Sequence, residues 1–328
     1  MYPISCIFYT IYTFQNLKID FLLYSIKMSV SWMIKNVDTY KLNWDYLSAN
    51  PNVTVDIINN NRKPWVWKYI YSNKNVTVEQ FRQVPKPLWD WSMLSLNENL
   101  VWDLVYSNYK EQWDWYEISK HKCVTWEIIN MYKEFPWDWF GISENPNITW
   151  NIIEKNKNKP WDWDCVSENP NITWDIVSDN IELFNPAIIS RHPNITMDII
   201  NDYPKYNWNW NEILLNKNIT LEFVHDNIIK FKKNNKATEN PAITWDIYSY
   251  LNKFKKNSVN PSLIYSQANI NWHLIKKNAT DDDWYYVSLN PNITDKILKK
   301  HVDKHWNWSN LSKNLFMCHP YVIIEESE

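Results

Sequence analysis

Glycine occurs once in this chain of 328 residues, at Gly141. Phosphate-cradling loops, dinucleotide turns and nucleophile elbows need backbone at positive φ or in close approach to a ligand, which glycine supplies. A chain with one glycine can build almost none of them. Cysteine is sparse too: Cys6, Cys123, Cys165 and Cys318 fit neither a disulfide framework nor a paired-cysteine metal site. They read as reduced, structural thiols in an intracellular setting. Neither charge sign predominates, since 34 Lys and Arg against 37 Asp and Glu leave a formal net charge of −3. That balance offers no global attraction to nucleic acid or to an anionic membrane.

Long apolar runs are missing as well. Ile4 to Phe14 is mostly apolar, but Gln15, Asn16, Lys18 and Asp20 interrupt it before Phe21, whereas a spanning helix needs about 20 largely apolar residues. A signal peptide would want a basic start and a small-residue cleavage site, and neither is visible. Residues 1–39 are therefore expected to be an N-terminal extension and cap, with Met28 as an alternative start. Residues 319–328, with Glu325, Glu326 and Glu328, read as an acidic C-terminal tail.

What is abundant is aromatic surface: 23 Trp, 20 Tyr and 11 Phe in a chain that is 45% hydrophobic. Disordered chains carry low hydrophobicity and high net charge, so this one folds. It is also repetitive. One unit runs Pro160-Trp-Asp-Trp-Asp-Cys-Val-Ser-Glu-Asn-Pro-Asn-Ile-Thr-Trp-Asp-Ile-Val-Ser178. Its threonine recurs as Thr54, Thr77, Val101, Thr125, Thr149, Thr173, Thr196, Thr220 and Thr244, with Asn271, Thr294 and Cys318 in the equivalent place. The steps are 23 or 24 residues, except for one of 27 between Thr244 and Asn271. A second aromatic lies ten residues ahead of most markers, at Trp44, Trp67, Trp91, Trp115, Trp139, Trp163, Trp210, Trp284 and Trp308. Pro186, Asn234 and Pro261 break that column.

Each unit carries two helix starts. The threonine stands where an N-cap belongs, and an acid follows in the first turn at Asp56, Glu79, Asp103, Glu127, Asp175, Asp198, Glu222 and Asp246. The other start is Pro-Trp-Asp-Trp, read with proline at the first helical position and Asp138 and Asp162 in the first turn. A strand reading fails because strict alternation is absent and about two dozen hairpin turns would want glycine. Helices this short barely form alone, so each unit must stack on its neighbours. The expected fold is all-α: an α-solenoid of about twelve 24-residue two-helix repeats over residues 40–318. Within a pair such as Trp137 and Trp139, one ring should enter the core while the other covers a neighbouring unit or helix end.

The Asn-Pro-Asn-Ile-Thr-Trp-Asp-Ile and Pro-Trp-Asp-Trp blocks resemble those of the Trp-rich tandem-repeat proteins of Mimivirus-type giant DNA viruses. The resemblance covers about residues 40–318 and is strongest at 137–180. It implies viral origin and expression in an infected cell, in the host cytoplasm or the virion. It implies no activity and carries over no functional residue.

The repeat is degenerate near 182–190, 229–238 and 252–266. The last two stretches concentrate lysine, at Lys230, Lys232, Lys233 and Lys236, then Lys253, Lys255 and Lys256. These are candidate partner-binding residues, a basic strip for an acidic protein or a phosphate backbone; solvated loops in decayed repeats are the plainer reading. His301 and His305 have i, i+4 spacing on an expected helix, with Cys318 and His319 beyond, but Val302 stands where a metalloprotease motif needs Glu. Carboxylates that repeat in register fit capping better than acid–base chemistry, which uses singular pairs. Asn52, Asn75, Asn147, Asn171, Asn194, Asn218 and Asn292 stand in glycosylation sequons, yet their regular placement suits a turn leading into a Thr cap. No enzyme activity and no cofactor are expected. The leading expectation is a protein-binding scaffold, with variable positions such as Phe140, Asp164 and Asn211 facing a protein partner. The alternative is single-stranded nucleic-acid binding by exposed Trp rings and the lysine strip, disfavoured by net charge and by the Asp beside most Trp residues.

Overall fold

The structure, a computed structural model, describes residues 30–60, 63–81, 89–231, 236–254 and 261–314. Among them every regular element is helical and no strand occurs. The chain divides into two compact units, Met1–Val66 with Tyr265–Glu328, and Trp67–Ile264.

In the unit Trp67–Ile264 each repeat has a leading and a trailing helix. The leading helices are Trp67–Ile70, Trp91–Ser95, Trp115–Lys120, Trp139–Glu144, Trp163–Glu168, Pro186–Arg191 and Trp210–Ile213. The trailing ones are Val78–Phe81, Trp102–Ser107, Trp126–Met131, Trp150–Lys155, Trp174–Asp179, Met197–Asp202, Leu221–Asp226 and Trp245–Phe254. From Trp91–Ser95 to Trp210–Ile213, successive leading helices lie against one another. Most helices are six residues long, so this stacking supplies the stability that isolated helices would lack. The core repeats with the sequence: Ile142, Ile148 and Ile153 are fully buried, as are Val166 and Val177 one repeat on.

The unit formed by the two ends of the chain contains leading helices Trp44–Ala49, Trp284–Val287 and Trp308–Lys313, and trailing helices Val55–Asn60, Trp272–Asn278 and Asp295–Lys300. Of the segment expected to cap the array, residues 30–36 are helical and 1–29 lie outside the described residues. The acidic tail lies outside them too. Trp44–Ala49 packs against Trp308–Lys313.

The trailing helices begin at the expected cap positions, although Thr149 and Thr173 make no side-chain cap bond. Thr125, Thr196, Thr220, Thr244 and Thr294 each accept a hydrogen bond from the amide three residues on, and Asn271 does the same for Leu274. The eight acids that follow the Thr markers each stand in a first turn. The leading helices correct the expectation. Pro136 and Pro160 lie outside the helix, which starts at Trp139 or Trp163 with Asp138 or Asp162 as its N-cap. Asp138 accepts from Gly141 N at 3.0 Å and Asp162 from Cys165 N at 2.8 Å. The short carboxylate reaches the orphan amides best from the cap position. Proline does occupy the first turn at Pro186, capped by Asn185.

The unit near 182–190 is degenerate only in sequence. Phe184, 4% exposed, fills the place of the first Trp, and Pro186–Arg191 is a regular leading helix. Near 229–238, fully buried Phe231 takes the Trp place, and the 3-10 turn Lys236–Glu239 follows. The 27-residue step coincides with a longer trailing helix, the ten residues Trp245–Phe254, followed by the 3-10 turn Pro261–Ser266.

Candidate functional site

The repeated residues converge on each other. Trp161 is 7% exposed and donates its indole N–H to the carbonyl of Asn156, at the end of the preceding trailing helix. Trp113, Trp137, Trp208 and Trp306 make the same bond to the residue five positions earlier. The edge of that ring meets the second-column Trp of the preceding repeat: Trp139–Trp161 at 5.1 Å and 84°, Trp91–Trp113 at 5.0 Å and 65°, Trp284–Trp306 at 4.8 Å and 83°. The Trp that opens the trailing helix one repeat further back packs on it as well, as in Trp174–Trp208 at 5.2 Å and Trp272–Trp306 at 6.3 Å. These edge-to-face and offset contacts are the geometry aromatic quadrupoles favour. Both rings of each pair thus serve packing. Trp67, 48% exposed, is the exception among the described tryptophans.

Beneath the rings runs a buried polar column that the sequence reading missed. Asn145, fully buried, caps the end of helix Trp139–Glu144 in an extended conformation, with φ −63° and ψ 128°. Its Nδ2 donates to the carbonyls of Ser119, His121 and Val124 at 2.8, 3.1 and 3.2 Å, all in the preceding repeat. Its Oδ1 accepts from Asn147 N at 2.8 Å, and its carbonyl accepts from Ile148 N at 3.0 Å, which closes the Asn-Pro-Asn-Ile turn. Asn97, Asn169, Asn216 and Asn240 repeat this in the same unit; Asn290 and Asn314 do so in the other. A serine two residues ahead completes the set. Ser143 Oγ donates to Trp139 O at 2.7 Å and accepts from Asp162 N, the next repeat's cap residue, at 3.1 Å. Each repeat therefore satisfies its neighbour's buried backbone groups, which would otherwise cost about 1–3 kcal/mol apiece.

The sequon asparagines belong to this network. Asn147 Nδ2 donates to Lys122 O at 2.8 Å and Val124 O at 2.9 Å, and Asn171, Asn194, Asn218 and Asn292 make equivalent pairs. Both amide hydrogens are engaged, which accounts for the regular placement of these residues without any glycan.

One titratable cluster stands out. Glu144 accepts from Tyr116 Oη at 3.0 Å and pairs with Lys120 Nζ at 2.5 Å, beside the Cys165 thiol. The hydrogen bond to Glu144 outweighs burial and pushes Lys120 up to about 12. Burial raises Glu144, but its bonds from Lys120 and Tyr116 prevail and hold it below its usual value. Burial, then the Asp162 and Glu144 carboxylates, drive Cys165 well above the ordinary thiol range. A general base needs a lowered lysine and a nucleophile a lowered thiol. Here both move the other way, so the cluster acts as an ion pair joining two leading helices. Its neighbour Gly141 explains the single glycine: a Cβ there would collide with the carbonyl oxygen of Tyr116 and lie 3.0 Å from Ser119 Cβ.

Of the candidate lysines, Lys230 and Lys253 are exposed, and Lys236 begins the turn Lys236–Glu239. Lys230 holds its Nζ 4.1 Å over the Trp210 ring, which uses the cation for packing. Lys232, Lys233, Lys255 and Lys256 lie outside the described residues. His301 and His305 do not share a helix, because Asp295–Lys300 ends at His301, whose ring packs on Trp272 at 5.2 Å. Cys318 and His319 lie outside the described residues, among which no group of three or more His, Cys, Asp or Glu side chains could hold a metal ion.

The position just after the opening Trp of the leading helix differs in kind. In the unit Trp67–Ile264 it is exposed at Lys68, Ser92, Phe140, Asp164 and Asn211; in the other unit it is exposed at Asp45 and Tyr285. Phe140 is 55% and Tyr285 51% exposed. Among the described residues no helix is long and apolar enough to cross a membrane. No protein-family model, curated protein or solved structure matches the chain.

Proposed function

We propose that this protein is a non-catalytic scaffold that binds protein partners through the variable second position of its leading helices. One observation carries this reading. That position is exposed in seven of the ten leading helices, where it changes from lysine to serine, phenylalanine, aspartate, asparagine and tyrosine, and is half-buried at Tyr116, Ala187 and Ser309. Residues fixed by packing cannot vary in this way, and residues facing water can be matched to a partner. The resemblance to giant-virus repeat proteins supports action in an infected cell, in the host cytoplasm or the virion.

Base stacking is the other reading, and Trp67 is the ring best exposed for it. The test compares the wild-type chain with Phe140→Ala and Tyr285→Ala in capture from infected-cell extract, alongside titration with single-stranded oligonucleotides. The scaffold reading expects a protein retained by the wild type and lost from at least one variant that keeps its helical signal. Oligonucleotide binding with a steep salt dependence, and no protein retained, would replace it with the nucleic-acid reading.

A further inference from the structure

In the unit that joins the two ends of the chain, the last leading helix is followed in the stack by the first. Asn314 Nδ2 donates to the carbonyls of Ser288 at 3.0 Å and Asn290 at 2.7 Å, the standard contact between consecutive repeats. Asn50 Nδ2 makes the same two bonds, to Ser312 O and Asn314 O, both at 2.9 Å, across 262 and 264 residues of chain. The serine contact recurs too. Asn307 N donates to Ser288 Oγ at 2.9 Å, and Asn43 N to Ser312 Oγ at 3.1 Å. Asn43 Nδ2 also reaches Ser309 Oγ at 3.4 Å, and Lys313 holds its Nζ 3.9 Å over the Tyr46 ring. The first repeat thus occupies the place a further repeat would take on the last one.

These two edges differ from each other and fit each other, which is the heterologous kind of interface. Nothing in their hydrogen bonds depends on belonging to one chain. Only the effective concentration imposed by the connecting chain favours the intramolecular partner. We propose that residues 43–50 and 308–314 are a matched docking pair through which a second copy of this chain is taken up, the first repeat of one copy stacking on the last repeat of the other. The exchange replaces each contact with an identical one, so its net cost is the effective concentration given up when the partners no longer share a chain. This assignment is independent of the partner surface proposed above.

The test uses full-length chains with Cys6, Cys123, Cys165 and Cys318 changed to Ser, carrying Asn43→Cys, Ser309→Cys or both, and a short bismaleimide. The double variant should cross-link within one chain at low protein concentration. A mixture of the two single variants, unfolded and refolded together at high concentration, should give a cross-linked dimer whose share rises with concentration. Adding Asn50→Leu should lower both products several-fold. No interchain product at any concentration, or no intrachain product at low concentration, overturns the proposal. Should the cysteine-free background fail to fold, sedimentation of the wild-type chain after refolding over a concentration series decides. Dimers that grow with concentration, and are lost in Asn50→Leu, support it. Monomer throughout contradicts it.

Discussion

The Nε2 atom of His121 lies 3.2 Å from the carbonyl oxygen of Asn97, in the register that Asn145 holds in the next repeat. Its Nδ1 accepts from Cys123 N at 3.1 Å, as Asn145 Oδ1 accepts from Asn147 N. His192 repeats the arrangement, with Asn169 O on one nitrogen and Asn194 N on the other. An imidazole that accepts at Nδ1 and donates at Nε2 imitates the asparagine amide, but only while neutral.

Both histidines should therefore make the stack sensitive to acid. Burial, the largest influence, lowers each below the ordinary 6.5, with Lys122 acting in the same sense on His121 and Lys217 on His192. The hydrogen bonds to Asn97 and Asn169, and the charges of Glu98 and Glu168, oppose it. A folded-state value below the unfolded one means the unfolded chain binds more protons between the two. The stabilisation is complete above about pH 6.5 and is lost as pH falls towards the folded value. Urea midpoints of the wild type should drop between about pH 7 and about pH 5, and the His121→Asn, His192→Asn double variant should lose part of that drop. An unchanged pH dependence in the double variant would show that these histidines are not responsible.

Gly141→Ala should destabilise the protein by about 1–3 kcal/mol, the usual range for overpacking. In an open helix the same change would stabilise by roughly 1 kcal/mol. The opposite sign follows because the new methyl meets the backbone oxygen of Tyr116, which cannot swing aside as a side chain can. Urea denaturation of the purified variant reads the sign directly.

Trp161→Ala should cost roughly 3–5 kcal/mol, since the ring is buried and meets Trp139 and Trp126. Trp161→Phe keeps a ring but removes the donor to the Asn156 carbonyl, and should cost about 1–2 kcal/mol. Phe184 already fills this place in the next repeat. Equal losses for the two variants would mean that the ring contributes little beyond its hydrogen bond.

Cys123 and Cys165 should resist alkylation in the folded protein at neutral pH. Burial pushes the Cys123 thiol up to about 12 and drives Cys165 higher still, so almost no thiolate is present. Peptide mapping after timed iodoacetamide treatment should show both modified far more slowly in native than in denatured chain. Rapid native labelling of Cys165 would contradict the packing around Glu144.

Helical class, repeat length and the caps of the trailing helices were legible because they rest on the regular Thr and Trp spacing, the scarcity of glycine and a Thr followed by an acid. The leading helix starts were misread by three residues, because Pro-Trp-Asp-Trp fits either Pro or Asp at the helix boundary, and Trp137 reaches back to the Tyr132 carbonyl instead of joining the helix. The Ser and Asn column was in view as Ser-x-Asn-Pro-Asn, complete at 48–52, 143–147, 167–171 and 288–292 and partly kept elsewhere. Its hydrogen bonds cross about 24 residues, however, and their partners are backbone carbonyls that carry no sequence signature. A small polar residue that recurs in most repeats beside an apolar pair was the available signal. His121 and His192 hid because a lone histidine among asparagines reads as surface variation.

The central claim is that buried asparagines hold repeat to repeat, and Asn145→Leu tests it most directly. Leucine is similar in size but removes the Asn145 donor from the Ser119, His121 and Val124 carbonyls and leaves Asn147 N without its acceptor. The His121 and Val124 carbonyls keep Val124 N and Asn147 Nδ2 respectively. Urea denaturation should show a loss of about 3 kcal/mol or more, whereas Asn151→Leu, at an exposed helical site, should stay within about 0.5 kcal/mol of wild type. Equal stability of the Asn145→Leu and Asn151→Leu chains would contradict the account.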